Sequence, residues 1–171
     1  AALAQVELED DFARKAEIAT DTAIVFEEKQ DDPQRAIDLY QMSLSFVPNG
    51  FEVQQALTRL LESSEQWSNL AKAYETELDT IPDEDSARKI DLFLKLGELR
   101  KDRLSRMGDA ALAYEAILEL EPLHSVSLDT LEAIYRDLER DKDLLRVLEI
   151  RAMQSDDSLE RAQFFIRIGD V

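Results

Sequence analysis

Two stretches 74 residues apart carry the same skeleton, and that periodicity restricts this chain of 171 residues more than any other feature. "RAIDLYQMSLSFVP" (35–48) and "DAALAYEAILELEP" (109–122) place a small residue, an aromatic and a proline at one spacing: Ala36, Tyr40 and Pro48 against Ala110, Tyr114 and Pro122. The same shift lays "FARKAEI" (12–18) over "SARKIDL" (86–92), Ala23 over Gly97, Leu57 over Leu131 and Leu70 over Leu144. With two residues deleted, "LKLGEL" (94–99) aligns with "IRIGDV" (166–171), so the chain holds roughly two and a third copies of one unit. Such a unit buries its apolar face by stacking on the next one, which makes an array the expected architecture.

Each copy divides again. Pro48 to Pro82 is 34 residues and Pro82 to Pro122 is 40, and Leu70, Tyr74 and Pro82 match Ala110, Tyr114 and Pro122 in order and spacing. Ala110, Ala113, Tyr114, Ile117 and Leu118 follow the i, i+3, i+4, i+7, i+8 spacing of one helix face, as do Ala36, Leu39, Tyr40, Ser43 and Leu44. The alanines let a second helix approach closely, and the tyrosine fills the space at the crossing. Gly97 follows the same logic, because glycine inside a helix costs about 1 kcal/mol relative to alanine and needs a packing reason. "DDPQRA" starts a helix, with Asp32 as cap and Pro33 in the first turn. Nine helices are expected, near 5–30, 33–46, 50–63, 66–80, 84–105, 108–120, 124–139, 142–154 and 158–171.

A helix-turn-helix unit of 34 residues with these positions in this order resembles the tetratricopeptide repeat (TPR). Gly97 takes that family's small position in the first helix, and Ala110, Tyr114 and Pro122 take the alanine, aromatic and proline positions of the second. Ala23, Ala36, Tyr40 and Pro48 do so one copy earlier. The resemblance implies an all-α fold, an α-α superhelix of antiparallel helix pairs with a concave and a convex face. Its units would run about 1–48, 49–82, 83–122 and 123–156, with a partial unit at 157–171. The last helix would be half a pair, with Phe164, Phe165 and Ile168 on a face that lacks its partner, so the natural chain is expected to continue.

Composition narrows the function. Apolar residues make up 44% of the chain, as in a folded protein, and the 34% that are charged alternate with them at helical spacing. Four glycines and four prolines are too few for a strand-rich fold, which needs a turn every ten or so residues. The net charge of −18 repels phosphate backbones and anionic headgroups, so neither nucleic acid nor membrane is an expected partner. A protein or peptide, preferably basic, fits better. Cysteine is absent, which removes disulfides, thiolate metal sites and cysteine nucleophiles. No signal-peptide pattern or membrane-length apolar run is present, and the cytoplasm is the favoured compartment.

The search for chemistry returns structural roles. No two glycines lie within ten residues of each other, so no phosphate-cradling loop exists. One histidine, His124, cannot build a histidine-rich metal site, and its place at a helix start suits a structural role. The acidic runs "ELEDD" (7–11), "PDEDS" (82–86), "DKD" (141–143) and "SDDS" (155–158) lack the calcium-loop pattern, and three sit where helices begin and free amides need acceptors. Trp67 reads as core beside Leu70 and Tyr74. Arg100, Lys101, Arg103 and Arg106 compensate a helix C-terminus. No cofactor, metal or catalytic constellation is expected, and an enzyme is the reading the residues support least.

Through the resemblance, first-helix residues outside the packing stripe face the groove: Glu17, Glu27, Glu52, Gln55, Arg59, Asp91, Lys95, Glu98, Asp129 and Arg136. Repeats that clamp a C-terminal carboxylate use lysines, arginine and asparagines there, whereas Leu94, Glu98 and Val126 hold the corresponding positions here, which disfavours that ligand. The expected function is a protein-interaction module or scaffold binding a peptide or helix in a net acidic groove. The alternative is a structural segment that stacks on itself or on neighbouring domains, with weak homo-association through the terminal helices.

Overall fold

In the computed structural model the described residues are 6, 9–154 and 157–169, without the side chains of Gln154 and Glu160. They are all-α: α1 (Phe12–Lys29), α2 (Pro33–Phe46), α3 (Phe51–Ser63), α4 (Trp67–Leu78), α5 (Ser86–Asp102), α6 (Met107–Leu120), α7 (Ser125–Asp137), α8 (Asp141–Gln154) and α9 (Ser158–Gly169). The helices gather into two compact units, residues 1–83 with α1–α4 and residues 84–171 with α5–α9.

Helix starts follow from side-chain acceptors. The Asp32 carboxylate accepts from the Arg35 amide at 3.1 Å, and Pro33, which lacks an N–H to satisfy, opens α2. Asp85 caps α5 in the same way through the Arg88 amide, 3.3 Å away. The first helix differs from the expected 5–30. It begins at Phe12, because residues 9–11 leave the helix and Asp11 accepts from the Ala13 amide at 2.9 Å. Glu9, Asp10 and Asp11 therefore lead into a cap instead of lying inside a helix, and positions 7 and 8 fall outside the described residues. Positions 170 and 171 of the expected last helix fall outside the described residues.

The turn that joins the two helices of each pair repeats as strictly as the sequence. Asp31, Glu65, Ser105 and Glu139 all have left-handed backbones, with φ of 49°, 53°, 54° and 53°. Each stands just past the first helix of a pair. Positions 31 and 65, like 105 and 139, are 34 apart, and each copy repeats after 74. The hydrogen bonds obey the same register. The Asp32 amide reaches the Phe26 carbonyl (3.1 Å) as Arg106 reaches Arg100 (2.8 Å), and Gln66 reaches Leu61 (2.9 Å) as Arg140 reaches Tyr135 (2.8 Å). These bonds satisfy carbonyls that the helix end leaves without partners, and the left-handed residue reverses the chain. The turns at 47–50 and 121–124 contain no such residue.

In the first unit α1 packs on α2 with Ala16, Ala19 and Ala23 buried on one side and Ala36, Leu39, Tyr40 and Ser43 on the other. In the second, Ala110, Tyr114, Ile117, Leu128, Leu131 and Leu148 form part of one buried cluster. Gly97 faces Tyr114 so closely that a Cβ there would lie 2.8 Å from the ring. That contact is the packing reason expected for a glycine inside α5.

Two expectations about aromatics change. Phe164 is buried, its ring faced by the guanidinium groups of Arg151 (5.1 Å) and Arg167 (5.5 Å), while Phe165 is exposed and Ile168 packs against the cluster. The last helix thus does seat part of its apolar face, on α8. Trp67, the first residue of α4, is only half-buried.

Candidate interaction surface

The ten first-helix residues lie five in each unit. Glu17 and Glu27 are on α1 and Glu52, Gln55 and Arg59 on α3; Asp91, Lys95 and Glu98 are on α5 and Asp129 and Arg136 on α7. Nine are exposed and Glu27 is half-buried. Within the first unit Glu17 pairs with Arg14, and Arg59 reaches Glu27 at 2.5 Å. In the second, Lys95 pairs with Asp91 at 2.7 Å, Arg136 with Glu132 at 2.8 Å, and Asp129 with Arg151. Glu132 is a buried carboxylate that also meets Arg151 (3.2 Å) and Arg167, so three arginines from α7, α8 and α9 converge on one acid. A charge this buried persists only when paired, and the set ties the three helices together.

Sequence reasoning treated the tyrosines as packing alone. In the structure Tyr40 donates to Glu27 at 3.0 Å, so the carboxylate that holds Arg59 is anchored from below. Burial, and then the bond to Glu27, push the Tyr40 phenol up to about 12. Tyr135 makes the same kind of bond to Glu115, and burial followed by that bond raises its phenol further. Tyr114 is pushed to about 12 by burial and then by the fields of Glu98 and Asp102, opposed by a hydrogen bond with Thr130. His124 caps α7, its ring Nδ1 accepting from the Ser127 amide at 3.2 Å. Arg100 donates to the Asp109 carbonyl at 3.1 Å, which ties the end of α5 to α6.

Among the hollows on the described surfaces, two bear on the argument. One of about 570 Å³ lies among α2, α3 and α4, where Ile37, Leu44 and Leu57 meet amide and hydroxyl groups including Gln41, Gln54 and Thr58; none of the ten residues lines it. The other, about 280 Å³, lies in the second unit on the first-helix side, bounded by Lys101, Met107, Asp129, Thr130, Ala133, Ile134 and Asp137. Of its lining Asp129 was expected on the groove and Lys101 stands in the basic stretch read as helix compensation; the others carry no motif. Among the described residues no group of three or more histidine, cysteine, aspartate or glutamate side chains is placed to hold a metal ion, and no helix is long and apolar enough to cross a membrane.

The helix pairs resemble tetratricopeptide repeats in length, in the spacing of their turns and in seating an aromatic on a small residue. No family model matches the chain, and no curated protein matches it. Among solved structures the chain is similar to "MamA MSR-1 C2" at 16% identity, covering 82% of this chain and 79% of that one with a TM-score of 0.46. It is also similar to "MamA RS-1 ArsTM double mutant" at 17% identity, with 91% and 84% covered and a TM-score of 0.46. A third is YrrB, described as a TPR protein with an unusual peptide-binding site, at 14% identity, with 95% and 96% covered and a TM-score of 0.38.

Proposed function

We propose that this chain is a protein-interaction module whose first-helix faces receive a peptide or helix of a partner, with basic partners preferred. The supporting observation is the division of labour within the helix pairs. The second helices of the first two copies, α2 and α6, bury Ala36 and Tyr40, and Ala110 and Tyr114, in the core, whereas nine of the ten first-helix residues stay exposed. A net charge of −18 speeds encounter with a basic segment, and that attraction weakens as salt screens it. Changing Glu52, Asp91 and Glu98 together to lysine tests the reading, because all three are exposed and lie outside the core. Parallel affinity captures at physiological salt, read by mass spectrometry, should show partners held by the wild type and lost by the variant; identical captures would sink the proposal.

A second reading, self-association, is favoured by α9, where Leu159, Phe165 and Ile166 are exposed at 67%, 58% and 65%. It expects mass to rise with concentration in sedimentation, and Phe165→Glu to abolish that rise while the charge variant leaves it intact.

A further inference from the structure

The first copy shows what fills the place that the second copy leaves hollow. Lys101 and Ala133, which face the 280 Å³ hollow, stand 74 residues after Glu27 and Arg59. In the first copy those two residues close the gap between α1 and α3 with an ion pair. In the second the arginine has become alanine and its acceptor lysine, so the ion pair that spans α1 and α3 has no counterpart between positions 101 and 133. We propose that the hollow is a seat for an arginine side chain of a partner protein. This rests on the reading of the first-helix faces as a binding surface and names the residue chemistry they select.

Shape and charge support an arginine. Met107, Ala133 and Ile134 offer an apolar wall for the stem of a long cationic side chain, and Thr130 adds a hydroxyl. The volume suits one side chain better than a small-molecule ligand, whose sites run to roughly 300–1,000 Å³. Lys101 has Asp102 beside it at 3.5 Å, and Asp129 is taken by Arg151. Asp137 is exposed and has no ion-pair partner among the described residues, so it is the carboxylate left for an incoming guanidinium. It ends α7, and Lys101 lies in the last turn of α5. Two helix C-termini and the N-terminus of α6, which opens at Met107, therefore border the seat, so the attraction rests on the Asp137 carboxylate and not on the helix dipoles.

The test uses the intact 171-residue chain and two probes of nearly one shape, N-acetylarginine amide and its uncharged analogue N-acetylcitrulline amide. Methyl NMR titrations should show saturable shifts at Thr130, Ala133 and Ile134 with the arginine probe, and at least tenfold weaker binding of the citrulline probe. Ala133→Arg, which installs the first copy's residue at an exposed position, should abolish binding, and Asp137→Asn should weaken it severalfold. Equal shifts with both probes, no saturable shift, or binding that survives Ala133→Arg would overturn the seat. The broader surface is judged separately. If partner capture is lost in the Glu52, Asp91 and Glu98 lysine variant but kept in Ala133→Arg, the seat is wrong and the surface stands. If the arginine probe binds while the lysine variant captures normally, the seat stands and the broader surface falls.

Discussion

The helix pairs α1–α2 and α5–α6 share a register, a turn and a buried alanine and tyrosine, yet several contacts between the paired helices have been exchanged for others. Ser43 in the first pair donates to the Ala16 carbonyl at 3.1 Å and meets the Thr20 hydroxyl at 2.8 Å. At the same register in the second stand Ile117, Ile90 and Leu94, all apolar. Phe26 faces the Arg35 guanidinium at 5.4 Å, whereas its counterpart Arg100 donates to the backbone carbonyl of Asp109, the counterpart of Arg35. The cation has crossed from one helix to the other. Ala23, buried in the first pair, is replaced at the same register by Gly97, which faces the Tyr114 ring. What persists is the backbone, with its left-handed residue at 31 and at 105. Substitution in such an array proceeds by partners, because a lone change leaves a buried polar group or a gap behind.

The largest effect expected from breaking this comparison is at Ile117. Ile117→Ser replaces a fully buried apolar side chain with a small hydroxyl and leaves a gap among apolar neighbours, which should cost about 3–4 kcal/mol in urea unfolding. Ser43→Ala, which removes two cross-helix bonds, should cost about 1–2 kcal/mol. Near-equal losses would show that the two interiors are not differently built.

Gly97→Ala comes next. Its Cβ would meet the Tyr114 ring at 2.8 and 2.9 Å, and that ring is buried, so about 1–3 kcal/mol should be lost. The reverse change in the first pair, Ala23→Gly, should cost about 1–2 kcal/mol through helix propensity and the loss of a buried methyl group, with no clash to relieve. Tyr114→Leu should make Gly97→Ala better tolerated in a double-mutant cycle; additivity would place the clash elsewhere.

A smaller difference should appear in alkali. Tyr40 is held neutral in the folded state up to about 12, against 10 when exposed, first by burial and then by its bond to Glu27. Because the folded value is raised, the associated stability is complete below pH 10 and disappears as pH rises towards 12, on the order of 1–2 kcal/mol. Tyr40→Phe should flatten unfolding free energy against pH in that window. Glu27→Gln should lower the Tyr40 titration midpoint in phenolate absorbance and leave that of Tyr114, which answers to Glu98 and Asp102, where it was.

The smallest effect sharpens what the pairs share. Glycine at Glu65 or Glu139 removes the strain of a left-handed backbone and should raise stability by about 0.5–1 kcal/mol, seen as a higher melting temperature. A loss at either site would mean that the carboxylate contributes more than the turn demands.

From Tyr40, Tyr114 and the prolines behind them, the sequence by itself determined that the chain is all-α, that helices come in pairs, and that the pairs recur every 74 residues. Helix-face periodicity and caps such as Asp32 are local signals, set by residues a few positions apart. It also determined that Gly97 must answer to a neighbour, since a glycine inside a helix is otherwise a loss. Only the tertiary structure decided the rest. The pair turns are left-handed at aspartate, glutamate and serine, positions that would announce themselves only as glycine, because the reversal is imposed by packing on both sides. Phe164 and Phe165 are adjacent and alike in sequence, yet one is buried between two arginines and the other exposed, because α8 covers one side of α9. The hollow beside Ala133 is the plainest case. Its lining comes from three helices, and an alanine in sequence does not reveal that a neighbouring copy fills the same place with Arg59.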